Sequence, residues 1–408
     1  MSVLWRSPAR LAWLLAVAMV SIVFAAGCGD DDDDDGGGEA SADLPTEIGE
    51  PEGELNLVIW AGYAEDGSFD PKVDWVTEFE DKTGCQVNTK IGNTSDEMVQ
   101  LISQGGYDGV SASGDASGRL YEGGYVQPVN TDLIENYDDI ADSLKDQPYN
   151  TFDGVNYGVA SDRGWNVLAY NTEEVKPAPK AWASVFPGDE FKGKVTAYDA
   201  PIYIADAAIY LRATQPDLGI TDPYELTQEQ FDAAIDLLKE QNANVGEYWS
   251  DYTKEIQAFT SGDIVIGTAW PYQALLLQAE GEPVKFNEVP EEGATGWSDT
   301  WMLTEDAEHP NCMYEWMNHA TSPDAQAKLA VWFGAAPANL EACDLTGKLD
   351  PAYFGTADHC DLYHADDETF WDQIEFWKTP VSDCGEGRED EECVTFDDWI
   401  QGWTEVKG

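Results

Sequence analysis

Short strands and amphipathic helices alternate through most of this chain, and the alternation limits the folds open to it. Apolar residues take every second position in 55–59, as in a half-buried strand, and recur at helical spacing in 73–79. Ser95 is typical of a helix N-cap, and Thr227 with Gln230 forms a capping box before a further amphipathic helix. The pattern predicts an α/β protein with mostly parallel sheets.

The N-terminus has the features of an export signal. Arg6 and Arg10 precede the apolar run 11–26, and small residues lead to Cys28. These features are typical of a lipoprotein signal peptide, residues 1–27. We expect Cys28 to become the lipidated first residue, which would anchor the protein to the cell membrane on the side facing the periplasm or the exterior. The alternative is an uncleaved N-terminal anchor, for which the apolar run is short.

Residues 28–53 are acidic and rich in glycine. Six consecutive aspartates, 30–35, are followed by three glycines, 36–38. Like charges repel and glycine leaves the backbone loose, so this part predicts a flexible tether. A calcium loop needs alternating ligands and a distal glutamate, which this stretch lacks, and we expect no metal site in it.

Acidic residues far outnumber basic ones. Asp and Glu total 79 against 21 Lys and Arg, which gives a formal net charge of −58. This charge excludes nucleic acid as a natural partner, because its phosphates would be repelled. It also attracts cations from solution. A salt-rich habitat would explain the same composition, so the charge alone does not identify a cationic ligand.

The cysteines predict disulfides. Six remain after Cys28, namely Cys85, Cys312, Cys343, Cys360, Cys384 and Cys393. An even number in an exported chain is typical of a disulfide set, although six cysteines allow many pairings. We expect two local bridges across short segments and one bridge between the cysteines that remain: Cys343–Cys360, Cys384–Cys393 and Cys85–Cys312. The alternative is a metal site at His359, Cys360 and His364.

Candidate ligand contacts cluster in 262–303. A β-branched run there predicts a buried strand, Trp270 follows it, and Pro271 opens a helical run. Ligands of open α/β sheets bind beyond the carboxyl ends of strands, which is where this order places Trp270. Trp297 and Asp299 follow a glycine-rich turn, and an aromatic face beside a carboxylate suits an ammonium ion. The alternative is a core tryptophan and a surface turn.

Several stretches occur in the order and spacing of one protein family. Along the chain they are Trp60-Ala-Gly-Tyr63 in LNLVIWAGY, Tyr-Asp-Gly-Val at 107–110, Asp199 in TAYDAP, Trp270, and Trp297-Ser-Asp299. With them the chain resembles the polyamine (spermidine/putrescine) substrate-binding proteins of ABC transporters over most of 54–408. The resemblance implies ring faces from Trp60, Tyr63, Trp270 and Trp297, and ammonium-binding acids at Asp199 and Asp299.

The resemblance also implies a fold, α/β and periplasmic-binding-protein-like of type II, with two lobes joined at a hinge and the ligand between them. Residues 54–408 are too many for one hydrophobic core, which agrees with two lobes. We expect lobe one at 54–163 plus 297–336 and lobe two at 164–296 plus 337–408. The chain would cross between lobes near 163–165 and near Gly296.

The implied function is capture of a small cationic solute, a polyamine such as putrescine or spermidine, and its delivery to the permease subunits of an ABC importer. We expect a monomer that uses no cofactor and no metal and is not an enzyme. The sequence has no Gly-x-Ser-x-Gly elbow, no phosphate-binding Gly-x-x-x-x-Gly-Lys-Ser/Thr loop and no His-Glu-x-x-His pair. The alternative from another class is a surface-anchored hydrolase that uses paired carboxylates.

The chain departs from the family at positions that bear on the ligand. Ala112 and Gly114 replace a serine and a tyrosine after the Tyr-Asp motif, and Asp115 follows as a further candidate contact. Arg163 replaces an apolar residue at the first crossing, and Lys378 replaces a glutamine near the C-terminus. Two cations beside the cleft would repel a polyamine unless nearby acids neutralise them, and they would attract a carboxylate. A zwitterionic amine such as a betaine, or a sugar, is therefore the alternative ligand.

Overall fold

The structure is a computed structural model, and it describes residues 44–187, 189–349, 358–385 and 387–408. The predicted signal peptide, the predicted lipidation site Cys28 and most of the predicted tether lie outside these residues. Within the described ranges, no helix has the length and apolar character that a membrane span requires.

Strands and helices alternate in the first two thirds of the described chain. The strands are β1 (Glu54–Ile59), β2 (Gln86–Ile91), β3 (Gly109–Ala112), β4 (Thr151–Phe152), β5 (Val155–Asn156), β6 (Gly158–Trp165), β7 (Val167–Asn171), β8 (Val195–Tyr198), β9 (Val245–Trp249), β10 (Ile266–Ala269), β11 (Val284–Asn287), β12 (Ala294–Leu303), β13 (Ala336–Pro337) and β14 (Ile374–Phe376). The helices are α1 (Val76–Thr83), α2 (Ser95–Ser103), α3 (Gly114–Glu122), α4 (Ile204–Thr214), α5 (Gln228–Asn242), α6 (Tyr252–Ser261), α7 (Pro271–Ala279), α8 (Pro310–Ala320), α9 (Pro323–Phe333), α10 (Cys343–Thr346), α11 (His359–Leu362), α12 (Glu368–Trp371) and α13 (Phe396–Lys407).

Side-chain caps explain several helix starts. The predicted capping box of Thr227 and Gln230 is present at the start of α5. The predicted N-cap of α2 was wrong by one residue, because the Thr94 hydroxyl accepts the Glu97 N–H at 3.1 Å and Ser95 is the first helical residue. Both threonines satisfy a backbone N–H that the first turn of a helix leaves without a partner.

The first sheet has the order β13–β6–β12–β3–β1–β2, and β14 pairs with the start of β12. β1 runs parallel to β2 and β3, because α1 and α2 return the chain to the same end of the sheet. β12 runs antiparallel to β3 and β6. Leu55, Leu57 and Phe79 are buried in the core beneath this sheet.

The second sheet has the order β11–β7–β10–β8–β9. Its members β8, β9 and β10 are parallel to one another, whereas β7 runs antiparallel to β10 and β11. α4 packs on α5, and the C-terminal helix α13 packs on α5, where Trp399 contacts Phe231; Trp399 and Trp403 both join the core of this lobe. The C-terminus is therefore part of the second lobe.

Two connections run side by side between the sheets. β6 ends at Trp165 and β7 begins at Val167, so Asn166 alone lies between them. The chain returns to the first sheet at Ala294, where β12 begins. Asn166 joins the connections, because its backbone N–H donates to the Thr295 carbonyl at 2.9 Å and its amide donates to the Thr295 hydroxyl at 2.6 Å. Each of the two sheets, with the helices that pack on it, forms one lobe, and these two connections join the lobes.

The two lobes share elements near the connections. β14 belongs to the first sheet, although 337–408 was predicted to belong to lobe two, and β13 of the same sheet lies across the predicted boundary between 336 and 337. β14 pairs with residues 294–296 of β12, directly beside the connections. The predicted bounds of the two bodies that would move against each other remain a prediction.

Three disulfides join the cysteines of the described residues: Cys85–Cys312, Cys343–Cys360 and Cys384–Cys393. These are the expected pairs. The alternative metal site lacks its thiolate, because Cys360 is bonded to Cys343. His359 instead contacts the Ala335 carbonyl at 2.9 Å, and His364 stacks on Phe370 with ring centres 3.8 Å apart.

Candidate functional site

A cavity of about 310 Å³ lies between the two lobes, and we call it the cleft cavity. Aromatic side chains form much of its wall, and polar groups come from both lobes. Its lining residues are Trp60, Ala61, Gly92, Asn93, Ser113, Tyr198, Ser250, Asp251, Tyr252, Thr253, Trp270, Trp297, Asp299, Phe333 and Trp377.

The carboxyl ends of five strands meet at the cleft cavity. Trp60 follows β1, Ser113 follows β3, Tyr198 ends β8, Ser250 follows β9 and Trp270 follows β10. Ligands of open α/β sheets bind beyond the carboxyl ends of parallel strands. The cavity therefore occupies the position where this fold binds a ligand, and all three predicted tryptophans, Trp60, Trp270 and Trp297, line it.

Two buried carboxylates lie at one side of the cleft cavity, and we call Asp162 and Asp299 the acid pair. They face each other across the antiparallel strands β6 and β12, which places both side chains on one face of the sheet. The Tyr63 hydroxyl lies 3.0 Å from each Asp162 oxygen and also contacts Asp299 Oδ2. The Ser113 hydroxyl donates to Asp299 Oδ1. Asp299 lines the cavity, and Asp162 lies behind it, 1% exposed.

Burial raises the pKa of both acids. The pKa of Asp299 is about 6, because loss of hydration outweighs the hydroxyl contacts from Ser113 and Tyr63. Burial also raises the pKa of Asp162 well above its usual value, and repulsion from Asp299 adds to the rise. No basic side chain of the described residues contributes to either shift. The acid pair thus holds negative charge in a site shielded from solvent, and no basic side chain of the described residues neutralises it.

Aromatic rings surround the space in front of Asp299. Trp270 and Trp297 meet edge to face with centres 6.2 Å apart, and Trp297 meets Phe333 in the same way at 5.8 Å. Tyr198 stacks on Trp377 at 5.7 Å. The indole N–H groups of Trp270 and Trp297 have no acceptor among the described residues, so they can donate to a ligand or to water. The cavity therefore combines one carboxylate with several ring faces.

Tyr63 contributes a hydroxyl rather than a ring face. Its side chain is 1% exposed and is not part of the cavity wall, which differs from the expected stacking role. Burial and the acid pair raise its pKa well above the usual value, so the hydroxyl stays protonated and donates. Tyr63 therefore positions Asp299.

The structure does not bring Asp199 to the cleft cavity, contrary to the expected role as a second ammonium-binding acid. Its Oδ2 accepts from the Lys407 ammonium at 2.9 Å, and its Oδ1 accepts from the Trp403 indole at 3.2 Å. Lys407 also lies 3.7 Å from the ring centre of Tyr248. The last turn of α13 thus supplies the cation that neutralises Asp199.

Arg163 is buried in internal contacts. Its guanidinium donates to the Ser143 hydroxyl at 2.9 Å, to the Ala365 carbonyl at 2.8 Å and to Glu368 at 3.2 Å. It also lies 4.2 Å from the ring centre of Trp371. Arg163 does not line the cleft cavity, so it neither repels a cation there nor offers a carboxylate anchor.

Lys378 and Asp115 are likewise occupied away from the cavity wall. The Lys378 ammonium lies 2.8 Å from Asp222 and contacts Glu225. Burial raises the pKa of Asp115 to about 6, and its Oδ1 accepts from the Ser95 hydroxyl at 2.8 Å. Neither Lys378 nor Asp115 is among the lining residues.

Ser113, Tyr198 and Asp162 are among the residues of the site that sequence reasoning missed. Ser113 and Tyr198 lie at the carboxyl ends of β3 and β8. Ligands of open α/β sheets bind beyond such strand ends, so this position could have indicated both residues. Ser113 lies between the two substituted positions that were compared with the family, and it supplies a hydroxyl to Asp299. No local sequence pattern marks Asp162 as a site residue, because its proximity to Asp299 depends on the register between β6 and β12.

Comparison with known proteins identifies the family. The family model described as bacterial extracellular solute-binding protein matches residues 74–354. The putrescine-binding periplasmic protein PotF of Escherichia coli (strain K12) is 23% identical over 343 residues, which are 78% of this chain and 88% of PotF.

Two solved structures share the fold. A putative spermidine/putrescine ABC transporter from Listeria monocytogenes is 18% identical, has a TM-score of 0.68, and aligns over 87% of this chain and 99% of its own. The TpPotD lipoprotein of Treponema pallidum is 17% identical, has a TM-score of 0.63, and aligns over the same shares. This likeness confirms the predicted two-lobed periplasmic-binding-protein fold. Because the family model covers more than half of the sequence, the chain belongs to the bacterial extracellular solute-binding proteins.

Proposed function

We propose that this protein captures a small organic cation, a polyamine such as putrescine or spermidine, and delivers it unchanged to the permease of an ABC importer. The acid pair carries the proposal, since Asp299 is buried beside ring faces and no basic side chain of the described residues neutralises it. The names of the relatives agree, because PotF is a putrescine-binding protein and the Listeria protein is a putative spermidine/putrescine transporter.

An ammonium group fits this site for electrostatic reasons. A carboxylate removed from water is costly until it meets a cation, and the faces of Trp270 and Trp297 offer their negative quadrupole to the same cation. The repulsion between Asp162 and Asp299 would fall when a positive charge enters beside them. A neutral sugar could stack on the rings but would leave the charge on Asp299 without a partner.

The alternative ligands have less support. A betaine or another zwitterion would need a cation for its carboxylate, and Arg163 and Lys378 are already paired with Glu368, Asp222 and Glu225. A hydrolase would need a pair of carboxylates at the bond that it cleaves, but Asp162 does not reach the cavity wall, and Asp251, which lines the cavity with Asp299, is exposed. We infer that the cleft performs binding and no chemistry.

The two-lobed fold also indicates how the protein would hold its ligand. We infer that the lobes, 54–163 plus 297–336 and 164–296 plus 337–408, close by bending at Asn166 and at the return before Ala294. The protein acts as a monomer held to the membrane through lipid on Cys28. The TpPotD relative carries the name lipoprotein. Mass spectrometry of the N-terminal peptide tests the anchor, and an unmodified Cys28 in the mature protein would contradict it.

Titration calorimetry of the purified protein tests the ligand class. Putrescine and spermidine should bind, and a betaine and a neutral oligosaccharide should not. Asp299→Asn should weaken the best amine by about 2–5 kcal/mol, the usual effect of removing a buried charge partner. Asp199→Asn is the matched control, because Asp199 pairs with Lys407 outside the cavity and its loss should leave affinity unchanged. Binding of the oligosaccharide without response to any amine would end the proposal.

A further inference from the structure

A second cavity of about 220 Å³ adjoins the cleft cavity, and we call it the lip pocket. Glu65, Phe69, Tyr272 and Trp332 line it and are not part of the cleft cavity. Trp270 stands between the two spaces and lines both of them, as do Ala61, Tyr252 and Phe333. A linear ligand with one end at Asp299 would therefore reach the lip pocket if its other end extended past Trp270.

Glu65 is the acid of the lip pocket. Its side chain is half-buried, and burial raises its pKa, while a hydrogen bond from Trp332 lowers it and nearby Asp66 raises it. No basic side chain of the described residues contributes to that shift. The carboxylate has thus lost part of its water without gaining a cation, as Asp299 has in the cleft cavity.

Aromatic rings from both lobes surround Glu65. Phe69 and Trp332 come from the first lobe, with ring centres 5.9 Å apart. Tyr252 and Tyr272 come from the second lobe, with ring centres 5.6 Å apart. Burial raises the pKa of Tyr252, and the charges of Asp251 and then Glu65 add to the rise, so the acid of one lobe lies close enough to act on the ring of the other.

Other places for a second ammonium group are filled or exposed. Asp199 holds Lys407, as described above. Asp251 is exposed at the rim of the cleft cavity, and its Oδ1 is engaged by the Thr253 N–H at 2.9 Å and the Thr253 hydroxyl at 2.7 Å. Within the part of the chain that the structure describes, Glu65 is the remaining acid that combines partial burial, ring faces and a shared wall with the cleft cavity.

We propose that Glu65 and the rings of the lip pocket form a second ammonium subsite, so that the cleft binds a linear dication with one ammonium at Asp299 and the other at Glu65. This inference rests on the proposed function and specifies its ligand further. A ligand held at both ends would contact Glu65 of the first lobe and Tyr252 and Tyr272 of the second. The second ammonium would then connect the lobes at their outer edge and favour the closed form.

The test compares diamines with monoamines. Calorimetry of the purified protein would use linear diamines from putrescine upwards, each paired with the monoamine of the same chain length. Glu65→Gln should weaken the best diamine about ten-fold, between the effects of an exposed and a buried ion pair, and leave its monoamine within about two-fold. Glutamine still accepts from Trp332, so the fold should persist. Asp66→Asn, which changes the neighbouring acid outside the pocket, is the matched control and should change neither affinity.

A second variant probes the rings without touching an acid. Phe69 is 78% exposed, so Phe69→Ala should fold normally, and it should weaken the diamine about two- to five-fold through loss of a ring face. If Glu65→Gln left diamine binding unchanged while Asp299→Asn removed it, the subsite would be wrong and the proposed function would stand. Equal losses for diamine and monoamine would also overturn the subsite. If no amine bound the unaltered protein, the proposed function itself would fall, and the subsite with it.

Discussion

Asp299→Asn should stabilise the ligand-free protein at pH 7 while it removes most of the affinity for amines. Asp299 is 3% exposed, and its pKa is about 6 against an ordinary value of 3.8. Because the folded-state pKa is the higher one, the native state binds more protons than the unfolded state between these values. Stability is therefore lost as the pH rises from 3.8 to about 6, and the full cost is present at pH 7.

The size of the effect follows from two opposing contributions. A folded-state pKa of about 6 corresponds to a destabilisation on the order of 3 kcal/mol at pH 7, which asparagine removes because it carries no charge. Asparagine has one acceptor oxygen, whereas the carboxylate accepts from both Tyr63 and Ser113. Loss of one buried hydrogen bond costs about 1–1.5 kcal/mol. The variant should therefore gain roughly 1.5 kcal/mol at pH 7 and lose about 1 kcal/mol at pH 4, where the aspartate is protonated.

Thermal melts of the ligand-free protein at both pH values measure this reversal of sign. The melting temperature of Asp299→Asn should exceed that of the unaltered protein at pH 7 and fall below it at pH 4. Asp199→Asn is the control, because Asp199 pairs with Lys407 and its loss should not raise the melting temperature at pH 7. A lower melting temperature for Asp299→Asn at pH 7, or the same difference at both pH values, would refute the reasoning.

Three further predictions follow from the same contacts. The affinity for putrescine should fall about ten-fold between pH 7 and pH 5 in calorimetry, because the amine needs Asp299 ionised and its pKa is about 6; a flat profile would contradict this. Replacing Cys85 and Cys312 with serine should lower the free energy of unfolding in urea by about 2–5 kcal/mol, since their bridge spans 227 residues of sequence; no change in midpoint would count against it. Lys407→Met should leave putrescine affinity within about two-fold, whereas a large gain would show that a freed Asp199 reaches the ligand.

Part of the site could be predicted because ligands of open α/β sheets bind beyond the carboxyl ends of the strands. Trp60 and Trp270 directly follow short apolar strands, so local sequence was enough to place them at the ligand-binding edge. Trp297 and Asp299 are two residues apart on β12, and side chains at that spacing project from the same face of a strand. For these four residues, local pattern and tertiary position coincide.

The partners of the charged residues could not be predicted, because they come from distant parts of the chain. Asp199 and Lys407 are 208 residues apart, and Arg163 meets Glu368 across 205 residues. Asp162 faces Asp299 only because β6 and β12 pair in one register, with an irregularity just after Asp299. A sequence with many acids offers no local signal for which of them meet a cation and which do not.

A carboxylate lies beside an aromatic ring at two places in the molecule, and only one of the two carboxylates is paired with an ammonium group of the described residues. At the C-terminus Lys407 provides the ammonium, 2.9 Å from Asp199 and 3.7 Å from the ring centre of Tyr248, in a partly exposed place where an ion pair contributes little. In the cleft Asp299 and the ring of Trp297 are buried, and no basic side chain of the described residues contributes to the pKa of Asp299. Burial makes the unpartnered acid costly and makes the arrival of a cation correspondingly favourable. The difference in burial therefore explains why Asp199 gains little from the cation that it already has, whereas Asp299 would gain much from a cation that entered the cleft.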